Sequence, residues 1–124
     1  MFDGTQLDPA TQLLITGRER VAAGWIQGNY IFTGVVGGGP RYCMLGALGW
    51  TSCVMVATDT QLAAANRLAR AIDPNAGSSF LKSYIPSWND NRARTLAEVL
   101  DTFDRAIANT FALTQPAFAL TQPA

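Results

Sequence analysis

Apolar positions recur three to four residues apart over 9–24, 59–72 and 96–109, the spacing of one-sided helices. The first run opens at Asp8-Pro9, a capping acid followed by proline at the first helical position. Leu14, Val21 and Trp25, with Ile15 and Ala22 beside them, form its apolar side, and Arg18 lies at the edge of that stripe. A later run starts at Asp59 or Thr60 and repeats Leu62, Ala65, Ala69 and Ile72 before Asp73-Pro74-Asn75-Ala76-Gly77 stops it. The last opens with Thr95-Leu96-Ala97-Glu98, a capping box, and continues through Val99, Leu100, Phe103, Ala106 and Ile107. Asp101 and Arg105 on its other side are spaced for an exposed i,i+4 ion pair.

Two stretches lack this periodicity. Residues 26–40, IQGNYIFTGVVGGGP, read as a loop or a short hairpin, because glycines interrupt the strand-like Tyr30-Ile31-Phe32-Thr33 and Val35-Val36. Residues 41–57 are apolar all round, which predicts a second, central and deeply buried helix opened by Pro40. Residues 80–94 read as an ordered connector or short helix. The expected fold is therefore mainly α, a small single-domain bundle of about four helices. A glycine-rich loop joins the first helix to the second. The domain takes up 1–110. Residues 111–124 are a perfect tandem copy of FALTQPA. Proline in each copy forbids a continuous helix there, so this tail is expected to be flexible. Its alternative role is a docking peptide working through Phe111 or Phe118.

Composition narrows the chemistry. Nine basic residues balance nine acidic ones, and histidine is absent from all 124 positions. That excludes a Ser-His-Asp triad, a Cys-His pair and a His-ligated zinc. No Asp-rich calcium loop is present, and neither a metal nor another cofactor is expected. The basic residues are scattered from Arg18 to Arg105 without a surplus, which disfavours a nucleic-acid partner. Arg41 is the only charge between Val21 and Thr58, yet that region holds many glycines and polar residues. A span normally needs about 20 mostly apolar residues, so a buried segment is favoured over a membrane helix. Met1-Phe2-Asp3-Gly4 lacks the pattern of a secretion signal. The expectation is a cytoplasmic protein with Cys43 and Cys53 reduced. On one helix those cysteines would stand about 15 Å apart and not bridge.

A few residues carry candidate chemistry. Cys43, at the start of the apolar stretch and near Arg41, is either a thiol activated at a helix N-terminus or a packed core residue. The glycine-rich loop before Pro40 suggests an anion cradle but lacks the Gly-Lys-Ser/Thr ending of a phosphate loop. Trp88-Asn89-Asp90 is either a recognition cluster or a core tryptophan with two turn-forming partners. Asp104, at the boundary of the last helix, is expected to pair with an arginine such as Arg41 or Arg67. A ligand or partner site would join Arg41, Cys43, Trp88, Asn89, Asp90 and Asp104.

Trp25, Cys43-x-x-Gly46-Ala47, Trp88-Asn89-Asp90 and Thr95-x-x-Glu98-Val99-x-x-x-Phe103-Asp104-x-Ala106 together resemble a small uncharacterised helical family of actinobacteria and their phages. The resemblance covers about residues 9–108. It implies a compact helical cytoplasmic domain, encoded by a phage or mobile element, and brings no activity with it. The function expected is a non-enzymatic interaction or regulatory protein, in host modulation or in a virion, with a protein partner or a second copy. The alternative is a small-ligand-binding protein or enzyme with its pocket near Cys43 and Trp88-Asn89-Asp90.

Overall fold

The computed structural model describes the backbone of residues 7–34, 37–52, 54–75 and 81–113, and the side chains among them except those of 81–83 and 109–113. The elements run α1 (Pro9–Ala23), β1 (Ile31–Phe32), β2 (Arg41–Tyr42), α2 (Met44–Ala47), α3 (Asp59–Ile72), α4 (Leu81–Asn89) and α5 (Leu96–Leu113). The fold is mainly α, as the periodicity predicts.

Three long helices form the frame, with α1, α3 and α5 packed on one another and α4 against α3 and α2. Their starts follow local chemistry. Asp8 accepts the Thr11 amide at 2.7 Å with Pro9 in the first turn. Thr58 and Gln61 close a capping box on α3. Thr95 and Glu98 do the same on α5, with the Glu98 amide donating to Thr95 Oγ1 and the Thr95 amide to Glu98 Oε1. The faces turned inward are Leu14, Gly17 and Val21 of α1, Ala65, Leu68 and Ala69 of α3, and Val99, Phe103 and Ala106 of α5. Ala22, expected on the apolar side of α1, is exposed, and so is Leu62 of α3. The Asp101–Arg105 pair forms on the outer face of α5.

The expected helix over 41–57 does not form. Arg41–Tyr42 is a strand paired antiparallel with Ile31–Phe32, Ile31 opposite Tyr42 and Phe32 opposite Arg41. Helix α2 is a single turn. It ends in a paired cap in which the Trp50 amide reaches Leu45 O and the Gly49 amide reaches Gly46 O. Gly49 sits at φ +105°, where a side chain is strained. Uniform apolarity reflected burial rather than helix, since Cys43 to Leu48 and Trp50 are buried while the backbone turns between them. Gly46 explains the tight fold of this region. A Cβ there would strike the carbonyl of Tyr30, so only glycine lets the chain before β1 lie across α2.

Helix α5 runs past the expected end at Asn109 to Leu113. The side chain of Phe111, and all of Phe118, lie outside the described residues, as do Val35, Val36 and Cys53.

Candidate functional site

The strongest polar constellation is built around Asn89, the last residue of α4, whose side chain is fully buried. Its Oδ1 accepts Trp25 Nε1–H at 2.8 Å and the Met44 amide at 3.2 Å. Its Nδ2 donates to Ile26 O at 3.1 Å and to Asp90 Oδ1 at 2.9 Å. Gln27 Nε2 donates to the carbonyls of Asn89 and Asn91, and the Gly28 amide to Asp90 Oδ1. The chain leaving α1 is thereby tied to the end of α4 and to the start of α2. An amide side chain suits this place because it presents an acceptor and a donor together, and a buried polar group left unpaired is costly.

Trp88 is half-buried, and the Arg94 guanidinium stacks on it, 3.5 Å from the ring centroid. Arg94 Nε also donates to Trp88 O, and Nη1 lies 3.7 Å from Glu98. The turn between α4 and α5 is thus closed by the stacked pair and the Asn91 side chain, which accepts the Ala93 amide. Neither reading of Trp88-Asn89-Asp90 holds whole: Trp88 is half-buried rather than core, and Asn89 and Asp90 bond the chain after α1 and the Met44 amide, while Arg94 and Asn91 close the turn before α5.

Cys43 is buried, a free thiol that caps α2 by accepting the Gly46 amide at 3.3 Å. Burial pushes its pKa up. The amides of Gly46 and Leu45 pull the other way, and the nearby Asp90 carboxylate adds to the rise. A thiol held protonated is a poor nucleophile. A one-turn helix supplies little dipole to oppose that.

Asp104 pairs with Arg18, at 2.5 and 3.2 Å, rather than with Arg41 or Arg67. Arg67 is held by Asp8 at 3.3 Å, and Arg41 is exposed on β2. The correction follows from packing: α1 and α5 lie side by side and bring Arg18 opposite Asp104, whereas Arg67 faces the start of α1.

Of the six candidate residues, the structure gathers Cys43, Asn89 and Asp90 around the start of α2, with Trp88 beside them. Asp104 forms its ion pair with α1, away from that cluster. Sequence reasoning missed Gln27 and the joint role of Trp25, whose only signal was a run of polar and aromatic residues directly after α1. Two clefts lined by described residues lie elsewhere. One lies between the starts of α1 and α3, at Asp8, Asp59 and Arg67, and the other between α1 and residues 39–42. Among the described residues no group of three or more Cys, Asp or Glu is placed to hold a metal, and no helix is long and apolar enough to cross a membrane.

A family model described as a family of unknown function, DUF6197, matches residues 5–109. The chain belongs to that family. The matched span includes α1 to α4 and most of α5, so the Asn89 clasp lies wholly inside the family's domain. No curated protein and no solved structure matches the chain.

Proposed function

We propose that this member of DUF6197 is a small non-enzymatic protein that acts through protein–protein contact, and that its simplest partner is a second copy of the chain. The observation that carries this reading is the segment before α3. Val54 and Val56 stand 82% and 92% exposed, two residues apart on non-helical chain, with Leu62 exposed just beyond. Large apolar side chains left in water side by side favour an interface. The chain carries no net charge, so no long-range repulsion keeps copies apart. The candidate chemical groups add support, because the Cys43 thiol and the Asn89 amide are engaged in internal bonds. A cytoplasmic setting, and a host-modulating or virion role in a phage, belong to the same proposal and rest on the family resemblance alone.

Native mass spectrometry and sedimentation of the full chain test it. A wild-type dimer that becomes monomeric in the double variant Val54→Asp/Val56→Asp, with unchanged melting temperature, is the expected result. A monomeric wild type, or a dimer indifferent to the double variant, overturns the assignment of this surface.

A further inference from the structure

The second cleft holds an arginine that makes no ion pair among the described residues. Arg20 is half-buried, on the side of α1 that meets α2 and β2. Its Nη1 donates to Ala47 O at 2.9 Å, and its guanidinium lies 5.8 Å from the Tyr42 ring centroid. Among the described arginines, 18, 67, 94 and 105 are paired with Asp104, Asp8, Glu98 and Asp101. Arg41, Arg70 and Arg92 are exposed and free to hydrate. Arg20 is the partly desolvated one without an anion. A guanidinium has five N–H donors, and one bond to a carbonyl leaves most of them unused. The bond to Ala47 and the aromatic ring beside it hold the group in place, so little side-chain freedom is lost when a ligand arrives.

The cleft around it is open to solvent, with a volume of about 460 Å³, and is lined by Thr16, Glu19, Arg20, Ala23, Gly39, Pro40 and Tyr42. That volume is within the range of small-molecule sites, about 300–1,000 Å³. Glu19 is exposed and makes no ion pair among the described residues. One cation and one anion thus face the same space, which leaves a dianion such as phosphate without net attraction. A planar monocarboxylate matches the fork of Arg20. An ammonium group on the same molecule would meet Glu19, and Ala23 and Pro40 offer an apolar wall.

We propose that the cleft between α1 and residues 39–42 binds a small monocarboxylate through Arg20, with an apolar α-amino acid as its best fit. The site is independent of the Val54–Val56 surface. The test is an NMR titration of the full chain with L-leucine, with 4-methylpentanoate, which lacks the ammonium group, and with inorganic phosphate. Leucine is expected to cause saturable shifts at the Gly39 and Tyr42 amides and at Arg20 Nε–H, with 4-methylpentanoate weaker and phosphate silent. Two variants complete it. Arg20→Gln removes the guanidinium. Ala23→Glu places a tethered carboxylate one helical turn from Arg20 and leaves the Ala47 contact intact, so it decides the matter if Arg20→Gln fails to fold. Binding about tenfold weaker or absent in Ala23→Glu supports the proposal. No saturable shift with leucine, shifts that persist unchanged in Ala23→Glu, or equal shifts with phosphate overturn it.

Discussion

Asn89 shows how one side chain can decide the course of three segments. Its amide bonds at once to the indole of Trp25, the amide of Met44 and the carbonyl of Ile26. Asn89→Ala leaves those groups without their partner, two of them in the backbone, and is expected to cost about 2–4 kcal/mol. Urea unfolding followed by tryptophan fluorescence measures it, and a change under about 1 kcal/mol would mean that Asn89 does not hold these segments together. The motif Trp88-Asn89-Asp90 was visible in the sequence as a distinctive cluster, and so was the choice between recognising a ligand and building a turn. Which partners Asn89 takes was not visible, because Trp25 and Met44 lie 64 and 45 residues away in the chain. Cys43 follows the same pattern. Its position at a helix start was legible, but its burial and raised pKa depend on what surrounds it.

Helices whose ends are set by neighbouring residues appear where the sequence placed them. Asp8-Pro9 and Thr95 with Glu98 each satisfy free amides within one turn, so their signals survive any tertiary arrangement, and Thr58 with Gln61, a cap the sequence analysis did not single out, does the same one residue before the expected start of α3. The stretch 41–57 had no such frame. It was apolar throughout, and apolarity without period does not distinguish a helix from buried turns. What stopped α2 was local after all: Gly49 at φ +105°, with Gln61 Nε2 2.5 Å from where a Cβ would stand. Gly49→Ala is expected to cost about 1–3 kcal/mol in thermal unfolding. Gly39→Ala, in open space, should change little and serves as the matched control. Equal effects of the two would show that the turn does not depend on backbone conformation at Gly49.

Across the molecule, ion pairs join elements that hydrophobic contact has already brought together. Arg18–Asp104 links α1 to α5, and Arg67–Asp8 links α3 to the start of α1. Burial pushes the Asp8 carboxyl up, but the Thr11 amide and hydroxyl and the Arg67 guanidinium outweigh it and hold it below its ordinary value. A carboxylate lowered by folding stabilises the protein above its unfolded pKa, about 4, and that contribution disappears as pH falls through the lower folded value. Asp8→Asn keeps a capping oxygen but does not titrate. It is therefore expected to lower the melting temperature at neutral pH, and the gap to wild type should close in acid below about pH 4. A gap that stays constant with pH would mean that the charge of Asp8 contributes nothing. Among the described residues, the arrangement also leaves Arg20 without an ion pair and Val54 and Val56 in water, and no local pattern marks either feature.

Caps, periodicity and hydrophobicity act over a few residues, and they set the helical class, the approximate starts of the three long helices and the apolar character of the 41–50 segment. That this segment folds as a strand and a single turn, which arginine meets which carboxylate, and that Asn89 serves as a clasp are settled by long-range packing. Those outcomes depend on groups far apart in the chain, and only the packing of α1, α3 and α5 brings them within bonding distance.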